Sequence, residues 1–351
     1  AATIVASTIL AAMVGVIGAA VVTMGILALP AMLSRNYDEK IALGSIMAGG
    51  TLGILIPPSI LAILYAVVAQ QSVGELYMGS FIPGLMLSGM YVTYVLLRSY
   101  LNPNLCPALP KEELIGFIEK LKLLKGLIAP LFLVFLVLGL LFGGIATPVE
   151  AAGIGSCGSV IVAIIQRKFS LLVLKEASLT TLRASTMVLW IMFGASVFVG
   201  FYILQGGQAF ITDTMLGLGL GPYGILFLMM FLLVILGMFL DWVGILLLAV
   251  PIFVPIVKSL TFPGLFGLPG PDPGDVALWF GVLYIINMQM SFLSPPFGYA
   301  LFYIRGVTPP HIQMATIFKA AIVFLIMQCI GLAICVLFPA VITFFPNMIY
   351  G

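Results

Sequence analysis

Apolar runs of about 20 residues or more recur along the chain, roughly at 3–33, 41–69, 78–99, 124–143, 147–166, 184–204, 222–257, 278–304 and 316–345. About 20 apolar residues are what an α-helix needs to cross the hydrocarbon core of a bilayer. One such run fits a buried core helix; a series of them does not. Within lipid, only helices and closed barrels keep every backbone polar group paired. The alternating segments of about 10 residues that mark a barrel are absent from the sequence. Charged residues make up only 7% of the chain and mean hydropathy is +1.27. The expected fold class is therefore an all-α polytopic membrane protein embedded in the lipid bilayer.

Several function classes drop out early. A net charge of +2 is too small for nucleic-acid binding, and the basic residues fall in loops. Cys106, Cys157, Cys329 and Cys335 lack metal-ligand spacing. No Ser-His-Asp set, phosphate-binding Gly-Lys loop or His/Cys metal cluster is present, so membrane hydrolase chemistry and ATP-driven pumping have no residues to run on; no enzyme activity and no cofactor are expected. His311 follows Pro309-Pro310 and reads as a solvated loop residue. The chain opens inside an apolar segment without a basic leader, so this is not a signal peptide; we expect that an N-terminal part is missing.

Two stretches resemble edited copies of each other. One is Gly49-Gly-Thr-Leu-Gly-Ile-Leu-Ile-Pro-Pro-Ser59, preceded by Leu27-Ala-Leu-Pro30. The other is Asn287-Met-Gln-Met-Ser-Phe-Leu-Ser-Pro-Pro-Phe-Gly298, preceded by Leu248-Ala-Val-Pro251. Paired Gly/Pro-interrupted apolar segments in two halves of a membrane protein point to a secondary transporter's binding site. Runs 3–33 and 222–257 are long and interrupted, by Gly15, Gly18, Gly25 and Pro30 in one and by Gly237, Asp241, Gly244, Pro251 and Pro255 in the other. We read both as re-entrant hairpins, the alternative being one long tilted helix in each case.

Charge placement slightly favours the hairpin at 222–257 and is silent for 3–33, which no basic residue precedes. With both hairpins returning to their starting side, Arg35, Lys40, Arg98, Lys111, Lys120, Lys122, Lys125, Arg167, Lys168, Lys175, Arg183, Arg305 and Lys319 share one face, and only Lys258 lies opposite. Basic loops mark the cytoplasm. The first hairpin then enters from the cytoplasm and the second from outside, which makes an inverted repeat. The expected organisation is a first repeat core at 1–69 (hairpin 3–33, broken helix 41–69) and connecting scaffold helices at 70–221. The scaffold holds a cytoplasmic linker 100–125 and an interfacial helix 167–183. A second repeat core at 222–304 (hairpin 222–257, broken helix 278–304) and a C-terminal transmembrane helix within 305–351 complete it.

A Pro-Pro pair frees carbonyls in the preceding turn, because proline lacks an N–H and clashes with the carbonyl four residues earlier. In a membrane those carbonyls need partners. A dehydrated Na⁺ is one, with Thr51, Ser59, Asn287, Gln289, Ser291 and Ser294 nearby; proline kinks closed by neighbouring helices are the other account. Half-helix N-termini at the hairpin tips suit a substrate carboxylate. Asp241, at the second tip, either caps the returning half-helix or contacts ion or substrate. Glu150, after Thr147-Pro148, reads as a helix cap.

The chain resembles the large membrane subunit of the tripartite ATP-independent periplasmic (TRAP) transporters. The resemblance rests on Gly15-Val-Ile-Gly-Ala-Ala-Val-Val-Thr-Met-Gly25 with Leu29-Pro30, on Arg35-Asn-Tyr-Asp38 and on Gly50-Thr-Leu-Gly-Ile-Leu-Ile-Pro-Pro-Ser-Ile60. It continues through Ala146-Thr-Pro-Val-Glu-Ala-Ala-Gly153, Asp241-Trp-Val-Gly-Ile245, Val250-Pro-Ile-Phe-Val-Pro-Ile256 and Asn287–Gly298. It implies an elevator-type, Na⁺-coupled importer of organic acids in the bacterial inner membrane. It also implies two partners, a small four-helix membrane subunit and a periplasmic substrate-binding protein. The ion and substrate positions it implies are Gly15, Gly18 and Ala19; Gly50, Thr51 and Gly53; Gly237, Asp241 and Gly244; and Asn287, Ser291 and Ser294. Na⁺ would lie at Gly50, Thr51, Asn287 and Ser291. Many relatives carry Ser-Gly-Ser at the first tip where this chain has Val14-Gly15-Val16-Ile17-Gly18, which leaves backbone carbonyls as ligands there.

Two other readings remain at this point. One is a stand-alone ion-coupled anion transporter of the same repeat architecture that needs no binding protein. The other is a structural membrane subunit of a larger complex or an intramembrane enzyme.

Overall fold

A computed structural model describes residues 1–107, 116 and 125–350. Among these, the regular elements are all helices. Six of them are long and apolar enough to cross a membrane: Val73–Leu101, Pro148–Ile165, Leu171–Leu204, Trp242–Ser259, Val276–Leu293 and Met314–Leu337. Contacts divide the chain into two units, one built from 1–107 and 199–351, the other from the helices within 125–198.

In the first unit, run 3–33 forms two helices, α1 (Ala2–Val14) and α2 (Ile17–Leu33), which pack on one another. The break is local chemistry. Gly15 takes a left-handed φ of 64° and its N–H caps the Ala11 carbonyl, and Val16 is extended. A residue with a Cβ disfavours that conformation, so the glycine permits the turn. Helix α3 (Glu39–Thr51) starts at Asp38, whose carboxylate accepts the N–H groups of Lys40 and Ile41. It tightens into a 3₁₀ turn at Leu52–Ile54 and stops before Pro57-Pro58, after which α4 (Ile60–Ala69) begins at the Ser59 cap. Helix α5 (Val73–Leu101) follows and also belongs to this unit, not to the connecting segment expected to hold it.

The second half repeats the plan. Helix α10 (Gly221–Gly237) and α11 (Trp242–Ser259) are joined by a short turn ending at Asp241. Helix α12 (Val276–Leu293) stops before Pro295-Pro296, and α13 (Tyr299–Val307) resumes at Gly298. Two helices, α14 (Met314–Leu337) and α15 (Ala340–Tyr350), end the chain. The single C-terminal helix expected there is thus divided, since Pro339 has no N–H to continue the ladder.

Packing interleaves the halves. Helix α3 rests on its own hairpin, α1 and α2, while α4 packs on α11 of the other hairpin. Helix α12 rests on α10 and α11, while α13 packs on α2. Each hairpin is therefore held between the leading half of one broken helix and the trailing half of the other. Helix α12 is buried along its whole length, and α3 from Ile41 to Thr51.

The remaining helices are α6 (Lys125–Phe142), α7 (Pro148–Ile165), α8 (Leu171–Leu204) and α9 (Gly207–Gly217). Helices α6 and α7 pack together, and α7 opens with a capping box between Thr147 and Glu150. An interfacial helix at 167–183 followed by a separate span at 184–204 was expected; instead α8 is continuous. Proline is absent from 171–204, and glycine first occurs at Gly194, so nothing breaks the ladder where the two were to part. Most of the linker 100–125 lies outside the described residues.

Candidate transport site

The first hairpin turn meets the first helix break directly. A Cβ at Gly15 would lie 2.8 Å from the Pro58 carbonyl oxygen, so only glycine allows this approach. Gly50 lies against Val21, and a Cβ at Gly53 would come 3.0 Å from the Ala11 carbonyl oxygen. Thus Gly15, Gly50 and Gly53 bring backbone of α1, α2, α3 and the break together. The turn's other residues begin α2, which no side chain caps; Gly18 lies under the Tyr303 ring, and Ala19 is exposed. Ser59 is engaged otherwise. Its hydroxyl donates to the Ile54 carbonyl and accepts the Ala62 N–H, and its backbone is bound by the Tyr77 hydroxyl.

At the second break, Gly237 backs onto Ser291, whose side chain would be struck by any Cβ there. The Ser291 hydroxyl donates to the Asn287 carbonyl at 3.1 Å and that of Ser294 to the Met290 carbonyl at 3.0 Å. The Asn287 amide donates 2.9 Å to the Met230 carbonyl on α10, and its Oδ1, fully buried, has no hydrogen-bond partner among the described residues. Asp241 caps α11 through Val243 N–H at 3.1 Å, and its other oxygen accepts the Tyr299 hydroxyl at 3.3 Å. Its capping role is therefore present together with a contact to α13. Gly244 faces open space in the first turn of α11.

A third group joins the halves. The Gln289 amide donates to Thr51 Oγ1 at 3.2 Å and approaches the Tyr91 hydroxyl at 3.4 Å; the Gln328 amide reaches Thr51 Oγ1 at 3.5 Å. Thr51 in turn donates to the Ala48 carbonyl. The expected sodium set of Gly50, Thr51, Asn287 and Ser291 is thus distributed. Thr51 meets Gln289, while Asn287 and Ser291, one turn apart, face the second hairpin. Sequence reasoning passed over Gln328 and Tyr91, although a carboxamide inside an apolar span such as α14 is itself a signal. Arg305, the one basic residue near the site in sequence, donates to the Ile312 carbonyl and so holds the following loop.

Nothing in this arrangement resembles a catalytic pair. It consists of buried hydroxyls, carboxamides and backbone carbonyls, which are ligands for a hard cation, beside two helix N-termini that no side chain caps, at Val16 and Gly298.

Comparison with known proteins gives the family. The sequence matches, over residues 1–341, the family described as "Tripartite ATP-independent periplasmic transporter, DctM component". It is 29% identical to the C4-dicarboxylate TRAP transporter large permease protein DctM of Vibrio cholerae, covering 100% of this chain and 78% of the relative. It is 30% identical to the protein of the same name from Pseudomonas aeruginosa, over 99% of this chain and 77% of the relative. The sialic acid TRAP transporter permease protein SiaT of Haemophilus influenzae is 30% identical over 93% of this chain and 50% of its own length.

Proposed function

Because the chain belongs to the DctM family of TRAP transporter components, we propose that it carries organic acid anions inward across the bacterial inner membrane, driven by Na⁺. It is a multi-pass transport subunit, not an enzyme. The family relationship supports two partners for this chain, a small four-helix membrane subunit and a periplasmic protein that delivers substrate. Relatives are named for C4-dicarboxylates and for sialic acid, both organic acids.

The observation that carries the reading is the interleaved grip on each hairpin. A hairpin held between halves of two different broken helices moves with both, so the two repeats travel as one body. Rigid-body displacement of such a body past a fixed scaffold is how repeat transporters alternate access. Cation positions are supplied by the backbone at Gly15, Gly50, Thr51 and Gly53 in one repeat, and by Gly237, Asn287, Ser291 and Ser294 in the other. The N-termini of α2, at Gly18 and Ala19, and of α13 offer partial positive charge for a carboxylate. Asp241 and Gly244 shape the second hairpin turn beside them.

The test is uptake by proteoliposomes holding this chain, its four-helix partner and the binding protein, with succinate and sialic acid as probes. Uptake should require an inward Na⁺ gradient and the binding protein. Uptake that ignores Na⁺ would overturn the coupling, and full uptake without a binding protein would establish the stand-alone transporter instead.

A further inference from the structure

The polar group between the halves has a symmetry that the ion ligands alone do not explain. Thr51, Tyr91, Gln289 and Gln328 are all fully buried, and each comes from a different helix, α3, α5, α12 and α14. Thr51 and Gln289 are separated by 238 residues, the same interval that separates Pro57 from Pro295. Tyr91 and Gln328, on the long helices that follow, are separated by that interval to within one residue. Residues at equivalent places in two inverted repeats that also touch must lie near the axis relating the repeats.

The bonding at this axis is saturated on one side and open on the other. A hydroxyl has one proton and two acceptor positions. Thr51 gives its proton to the Ala48 carbonyl and accepts both glutamine amides. Turning over either carboxamide would set its oxygen against Thr51 Oγ1, whose proton is already committed, and would leave only the Tyr91 hydroxyl as a donor. Gln289 Oε1 and Gln328 Oε1 are left buried without a hydrogen-bond partner among the described residues. Movement of one member therefore disturbs the others, because the two amides share the Thr51 hydroxyl and Gln289 also reaches that of Tyr91.

Helix α12 extends this node to the second hairpin. Asn287 and Ser291, four residues apart, share one helical face and meet α10 at Met230 and Gly237. Gln289, midway between them, leaves the opposite face toward Thr51. On the Thr51 side, Gly50 and Gly53 meet the first hairpin at Val21 and Ala11.

We propose that Gln289, Gln328 and Tyr91 are positioning residues that couple the cation positions of the two repeats through the Thr51 hydroxyl, so that filling one raises the affinity of the other. The inference rests on the Na⁺-coupled reading above. Coupling of this kind appears as cooperativity in the binding curve.

The experiment titrates Na⁺ alone, with choline holding ionic strength constant, into the purified native assembly. Tryptophan fluorescence is the readout, Trp242 standing next to Asp241 at the second hairpin turn, with the thermal midpoint as a second. The variants are Tyr91→Phe, which keeps the ring 5.4 Å from Phe324, and Gln328→Met, which keeps side-chain length. Neither removes a proposed cation ligand. The native Hill coefficient should exceed one and fall to one in both variants, with half-saturation moving severalfold. Should Gln328→Met fail to fold, Tyr91→Phe decides. A native coefficient of one, or a coefficient above one that persists in the variants, overturns the coupling. A native assembly that ignores Na⁺ in both readouts overturns the sodium reading itself, and the coupling with it.

Discussion

Gln289 donates its side-chain amide to the Thr51 hydroxyl at 3.2 Å, so equivalent positions of the two repeats meet inside the protein. Thr51→Val keeps the shape but removes one acceptor from each of two buried amides. An unpaired buried donor costs about 1–3 kcal/mol, and a loss of that order is expected in thermal unfolding of the purified protein. Thr51→Ser, which keeps the hydroxyl, should stay close to the native midpoint. Equal stability of the two variants would contradict the network.

Two glycines of the site should respond oppositely to alanine. Gly15 has a φ of 64° and faces the Pro58 carbonyl, so Gly15→Ala adds left-handed strain of roughly 1–2 kcal/mol and a clash. Gly244 lies in a helix with open space around it. Gly244→Ala should be neutral or stabilising by up to about 1 kcal/mol. Unfolding midpoints of the two variants check both signs.

Asp241 separates capping from charge. Asp241→Ala removes the acceptor for Val243 N–H, a cap worth typically ~1 kcal/mol, and should raise amide exchange in the first turn of α11. Asp241→Asn keeps an acceptor and should keep protection near native. If the variants exchange alike, the carboxylate does not act as the cap.

The Tyr303 ring covers Gly18, where a Cβ would come 2.9 Å from the ring. Gly18→Ala alone should destabilise the fit of α13 on α2, and Tyr303→Ala should relieve it. A double-mutant cycle is expected to show coupling of roughly 0.5–3 kcal/mol, as for residues in contact. Additive effects would place the ring elsewhere.

Much of this architecture is legible in the chain because its breaks are made by residues with backbone consequences. Pro57-Pro58 and Pro295-Pro296 mark where α3 and α12 end, and Asp241 precedes α11 as a cap residue should. Thr51 and Gln289 share the interval of the proline pairs, so their equivalence is legible from register, while their contact is not. Other features depend on tertiary packing. Nothing local says that α4 rests on α11 and α13 on α2, or that Tyr91 and Gln328 converge on one hydroxyl. The continuity of α8 was missed because Lys175 and Arg183 suggested an interfacial segment, whereas helix continuity depends only on the absence of a breaker. The division between α14 and α15 was missed because Pro339 lies inside an apolar run, where composition hides it.

The central claim is that two hairpins enter the membrane from opposite faces and return. Side-specific alkylation tests it most directly, using single cysteines at Ala2, Ser34, Gly219 and Ser259 in a background without Cys106, Cys157, Cys329 and Cys335. A membrane-impermeant maleimide should reach Ala2→Cys and Ser34→Cys only from the cytoplasm, and Gly219→Cys and Ser259→Cys only from outside. Labelling of the two ends of either pair from opposite faces would show a helix that passes through, and would contradict the inverted repeat.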